Sequence, residues 1–97
     1  MIQYTAGYKY DPEGVHARVL DFPGAISCGT NLDDARMMLA DCLGVMAESY
    51  ILDGDPFPKP QLGMTDPEMD IIEPIYLVVA GSTQPVPETA SVAYEEV

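Results

Sequence analysis

Metal-dependent nuclease chemistry needs several carboxylates converging on one divalent ion, because oxygen ligands hold magnesium and the metal activates water and stabilises the leaving oxygen. The carboxylates nearest to such an arrangement are Asp11 with Glu13 and Asp33 with Asp34. Neither pair suits the task. Asp11 and Glu13 fall in a turn, Asp33 and Asp34 complement the positive end of a helix, and the first strand carries no acid in its body. Solvated and capping roles are expected, with no metal. His16 is the single histidine, and no Ser or Cys lies in a motif that sets a nucleophile beside a base. Cys28, Cys42 and His16 could supply soft ligands, but they lack the paired spacing of a zinc site, and both cysteines read as buried thiols. No catalytic residue, metal or cofactor is expected, and the chain reads as acting by binding.

The residues that could make such a contact are acidic and aromatic. Asp11, Glu13 and Asp21 stand near the first hairpin and the turn after it, with Phe22 as an exposed aromatic anchor, a common plan for engaging a basic protein surface. For each residue taken separately, plain turn chemistry is the preferred reading. Met37, Met38 and Met46 are spread along the helix, and Met37 projects away from its main apolar stripe. Tyr4, Tyr8 and Tyr10 could stack bases, but a single-strand binder also needs cationic backbone contacts, so core or subunit contact is expected of them.

Charge supports the same division. Four Lys and Arg stand against sixteen Asp and Glu, a formal net charge of -12, which repels a phosphate backbone and speeds association with a basic protein. It also keeps a small protein soluble. Direct nucleic-acid binding is not expected. Two cysteines do not make a disulfide framework, the start lacks a basic signal-peptide pattern, and no apolar run is long enough to cross a bilayer. A cytoplasmic protein is the expectation. At 97 residues this is one domain, close to the size where burying enough apolar surface alone becomes difficult, so a partner or self-association is expected as well.

The elements follow from periodicity and punctuation. Ile2 to Tyr10 alternate as a strand, Asp11-Pro12-Glu13-Gly14 turns, and Val15 to Phe22 return antiparallel with Val15, Ala17 and Val19 on one face. Pro23-Gly24 turns again, Ala25 to Cys28 hold a short strand, and Gly29 is expected to take a special backbone angle. Asn31 caps a helix whose stripe of Leu32, Ala35, Leu39, Cys42, Leu43, Met46 and Tyr50 faces the sheet, and Asp53-Gly54 ends it. Residues 55 to 70 read as an extended connection. Ile75 to Ala80 read as a fourth strand beginning at Pro74 or lying at an edge. A right-handed crossover places it parallel to the first. The expected fold is α/β in the α+β sense, β-β-β-α-β, a four-stranded mixed sheet of order 3-2-1-4 with one long helix on one face. The other face would lack a cover within the monomer.

At the stretch joining the hairpin to the helix, the chain resembles the HicB-type antitoxin domain, a truncated ribonuclease-H-like fold. The match reads Asp21-Phe22-Pro23-Gly24, then Gly29, Asn31 and Asp33-Asp34-Ala35, and later Asp53-Gly54-Asp55-Pro56-Phe57-Pro58-Lys59-Pro60. Leu20 stands where the pattern has proline, Ala25 where it has cysteine and Asn31 where it has threonine. The resemblance covers roughly residues 2 to 60 and more loosely the strand near 74 to 80. It implies a truncated fold without the parent active-site set, and an antitoxin that neutralises a small, basic, messenger-cleaving ribonuclease toxin of the HicA type by occluding its active surface.

Residues 1–80 form the expected antitoxin-like domain, and 81–97 a short acidic tail. Family members usually carry a further DNA-binding segment at that place, and this tail is too short and acidic for one, which puts operator binding in doubt. Val92 and Tyr94 alternate with polar neighbours, so the tail is expected to dock, with another subunit as one place for it. Two rival readings belong to other classes: an orphan oligomeric binding module without a toxin, and a residual nuclease using Asp33 or Asp34.

Overall fold

Alternation of apolar and polar side chains decides the first hairpin. β1 (Ile2–Asp11) buries Tyr4, Ala6 and Tyr8, and β2 (Gly14–Val19) buries Val15, Ala17 and Val19. Their antiparallel register sets Ala6 opposite Val19 and Tyr8 opposite Ala17, so both apolar sets share one face, as a period of two requires. The computed structural model describes residues 1–79 and 90–93. In it, β3 (Ile26–Gly29) lies antiparallel on β2, α1 (Leu32–Asp53) follows, β4 (Ile71–Val79) pairs with β1, and β5 (Ala90–Ala93) pairs with β4. The expected order 3-2-1-4 stands, extended to β3-β2-β1-β4-β5. Part of the tail thus adds a strand to this chain's own sheet. Ala80, expected to close the fourth strand, and Tyr94 lie outside the described residues.

Local chemistry sets the ends of α1. Asn31 is extended, and its side chain accepts the Asp34 amide at 2.8 Å, while the Asp34 carboxylate reaches back to the Thr30 amide at 2.8 Å. First-turn amides without helical partners are satisfied this way. Gly54 takes a left-handed φ of 73°, and the Gly54 and Asp55 amides turn back to the carbonyls of Ile51 and Tyr50. Along the buried face, Ala35, Ala40 and Ala47 let the helix approach the sheet, while Leu39 and Leu43 fill the core. Each such leucine contributes about 1.5–3 kcal/mol of burial.

β4 is antiparallel to β1, with Ile2 opposite Leu77 and Tyr8 opposite Ile71. The parallel orientation, and with it the mixed sheet, is overturned. The handedness rule governs a chain whose helix alone carries it back to the starting edge; here residues 54–70 make a second traverse. The Tyr4 hydroxyl donates to the Pro58 carbonyl at 2.7 Å, the Gln61 amide donates to Asp21 at 3.0 Å, Arg18 pairs with Asp66, and the Asp70 amide donates to the Tyr8 carbonyl at 2.8 Å. These contacts advance along the hairpin, so the chain reaches the far end of β1 before β4 begins.

That strap also changes the expectation of an uncovered second face. Gly7 is buried, and a β-carbon there would stand 2.8 Å from Met69 Cγ. Ile26 and Ile72 on the same face remain exposed. Pro74 fits inside β4 for a specific reason. The Leu20 amide donates to the Thr5 carbonyl, so Thr5 turns its polar groups to β2, and Pro74 opposite it directs its nitrogen away from β1. β5 pairs only with Tyr76 to Val79, and no ladder bond is asked of the proline.

Candidate protein-binding surface

The four acidic and aromatic candidates divide between the two ends of β2. Asp11 ends β1 and Glu13 lies in the turn to β2, where Asp11 accepts the Glu13 amide at 2.8 Å and pairs with His16 Nε2. They border an open depression of about 130 Å³ shared with Gly14, His16, Cys28 and Gly29. It is small for a cofactor or drug-sized ligand, and its two carboxylates suit a cationic side chain better than an anion.

Asp21 and Phe22 lie beyond the opposite end of β2, roughly 20 Å away for a strand of this length, and neither is a surface group. Asp21 is 4% exposed: one carboxylate oxygen accepts the Thr5 amide at 2.8 Å, the other the Gln61 amide at 3.0 Å. Its charge satisfies backbone donors of β1 and the strap. Phe22 is fully buried, where an exposed anchor was expected. The turn folds it under the sheet, with the Phe22 amide bonded to the Val19 carbonyl and the Val19 amide to the Ala25 carbonyl. Its ring meets Tyr4 at 5.1 Å and Tyr50 at 5.2 Å, both edge-on, a favoured aromatic geometry. Burial first, then the Asp21 charge and Tyr50, pushes the Tyr4 hydroxyl up to about 12.

The remaining candidates also find places. His16 is exposed beside Asp11. Cys28 is exposed and Cys42 half-buried, with its thiol donating to the Ile26 carbonyl at 3.4 Å, so the expectation of two buried thiols is overturned. Cys28 faces outward because it shares the second sheet face with its cross-strand neighbour His16. Asp34 caps the helix start and Asp33 accepts from Arg36 at 3.2 Å. Among the described residues, no three His, Cys, Asp or Glu side chains are grouped to hold a metal ion. Tyr4 and Tyr8 are core residues, while Tyr10 and Met37 are exposed.

One pair escaped the sequence reading. Arg36 on α1 forms a fork with Glu73 on β4, Nε to Oε2 and Nη2 to Oε1, both at 2.8 Å. The hydrogen bonds to Glu73 hold the guanidinium above its ordinary value, partial burial opposing and the Glu73 charge and Asp33 assisting. A lone acid inside the apolar run around Ile75 was the available signal. With Arg18 and Arg36 engaged, Lys9 and Lys59 are the other basic side chains, both exposed, against a largely acidic surface. No helix among the described residues is long and apolar enough to cross a membrane.

Comparison with protein-family models and with curated proteins gives no match. Among solved structures, the chain is similar to one from the "HicA3 and HicB3 toxin-antitoxin complex", with 23% identity and a TM-score of 0.55 over 68% of this chain and 73% of that chain. The likeness is one of fold.

Proposed function

We propose that this chain is a HicB-like antitoxin that binds a small basic ribonuclease toxin of the HicA type and neutralises it by occluding the toxin's active surface. The observation that carries this reading is the fold shared with a chain of a toxin–antitoxin complex. The motif Asp21-Phe22-Pro23-Gly24, Gly29 and Asn31, which suggested the same family, forms the turn and helix start of that fold. The net charge of -12 supports a basic partner. On this reading the chain acts by binding and not by catalysis, works in the cytoplasm, and self-associates through the exposed part of the second sheet face near Ile72.

The test is co-expression with the small open reading frame beside the gene, followed by co-purification and an RNA-degradation assay. A stable complex that suppresses cleavage is the expected result. Absence of both a complex and a toxic neighbour would leave an orphan binding module.

A further inference from the structure

The outer face of α1 carries an apolar stripe that stays exposed among the described residues. Met38, Val45 and Leu52 are 46%, 66% and 69% exposed, and they recur at a spacing of seven. Seven residues fall about 20° short of two full turns, so the three side chains form one slightly slanted seam along the helix. Asp34, Asp41 and Glu48 recur at the same spacing, each separated from the stripe by about one turn.

Beyond Asp34, which serves the helix start, the acids toward the other end of α1 do not serve the helix that carries them. Asp33 and Asp34 favour its N-terminal end, but Glu48 and Asp53 stand toward the C-terminal end, where carboxylates oppose the dipole. No basic residue occupies the last turn. Arg36, the helix's single Arg or Lys, is committed to Glu73 and Asp33. A local arrangement that costs stability without an internal partner points to one outside the chain.

We propose that the outer face of α1 receives a basic amphipathic helix of the partner protein. That helix would seat apolar residues at seven-residue spacing against Met38, Val45 and Leu52, with Lys or Arg beside them facing Asp41 and Glu48. The proposal rests on the reading of this chain as the partner of a basic protein and assigns the face. A second copy does not fit here, because acids at the same positions would meet one another. An anionic lipid surface is repelled by the same groups.

The test uses the full chain with a small basic toxin of the HicA type as the partner. Three variants of the full chain are compared by titration calorimetry: Val45→Glu with Leu52→Glu, Asp41→Lys with Glu48→Lys, and Leu62→Glu on the exposed strap as control. The first should raise Kd about 100-fold or more, as loss of two central apolar contacts does. The second should raise it about tenfold and flatten its salt dependence. The control should leave it unchanged. Amide shifts of labelled wild-type chain, which need no variant to fold, should move at Met38, Val45 and Leu52 on titration. Wild-type affinity in both double variants, or shifts confined to the sheet, would overturn the assignment while the antitoxin reading stands. No complex with the wild-type chain would remove that reading and the assignment with it.

Discussion

Gly29 and Ala35 meet through their backbones: a β-carbon on Gly29 would stand 2.3 Å from the Ala35 amide nitrogen and 2.7 Å from its α-carbon. The φ of Gly29 is not positive, so the glycine is required by close approach and not by the special angle expected. The end of β3 and the first turn of α1 are in contact without a side chain between them. Gly29→Ala should therefore lower stability by about 1–3 kcal/mol, as overpacking against backbone does. Gly54→Ala provides the contrast, since its β-carbon would meet nothing within 4 Å and only the left-handed conformation is strained, at about 1–2 kcal/mol. Urea unfolding of both variants separates the causes: repacking that restores Gly29→Ala but not Gly54→Ala would confirm the first as steric. An unchanged midpoint for Gly29→Ala would show that the helix start yields.

Asp21 joins β1 to the strap through two backbone donors. Asp21→Ala leaves the Thr5 and Gln61 amides without their acceptor, at about 1–3 kcal/mol for each donor that stays buried. Asp21→Asn keeps one acceptor oxygen and should lose less. Hydrogen exchange provides the local readout, with faster exchange at Thr5 and Gln61 than at Leu43 in the middle of α1. Uniform exchange changes would mean that Asp21 acts on the whole domain and not as a clasp.

The features legible in the sequence were those written in short-range chemistry. Alternation from Tyr4 to Tyr8 gave the buried face of β1, and Asn31 and Gly54 marked both helix ends within a residue. The direction of β4 was not legible, because it depends on how far the chain travels between Gly54 and Asp70, and single contacts such as Arg18 with Asp66 fix that path. Phe22 was misplaced for a related reason. A proline-glycine turn signals a reversal but not which side of the sheet the preceding ring enters, and the pocket formed by Tyr4, Tyr50 and Phe57 exists only after α1 has packed. Asp11 and Glu13, whose neighbours are local, lie where the turn put them.

Tyr4 gives a pH dependence whose sign follows from its environment. Its hydroxyl is pushed from 10.0 in the unfolded chain up to about 12 in the fold. Below pH 10 both states are protonated and the contribution is fully present. Between pH 10 and about 12 the unfolded chain loses its proton first, so stability falls as pH rises, by about 2–3 kcal/mol in all. Tyr4→Phe should be less stable at neutral pH by about 1 kcal/mol through loss of the bond to Pro58, yet decline less from pH 9 to 11. Parallel decline of the two proteins would assign the alkaline sensitivity to other tyrosines.

Arg36 and Glu73 tie the helix to β4 across the core layer, with side chains 27% and 24% exposed. Solvent therefore weakens the pair only in part. Arg36→Met leaves Glu73 half-buried without its fork, and Glu73→Leu does the same to the guanidinium, so each single substitution should destabilise the fold. The double substitution removes both charges and places apolar side chains in contact, and it should be less destabilising than the sum by about 1–2 kcal/mol. Urea unfolding of the four proteins closes the cycle. Additive losses would show that the fork's hydrogen bonds only offset desolvation. Coupling that shrinks at high salt would show that charge, and not packing of the two stems, holds α1 against β4.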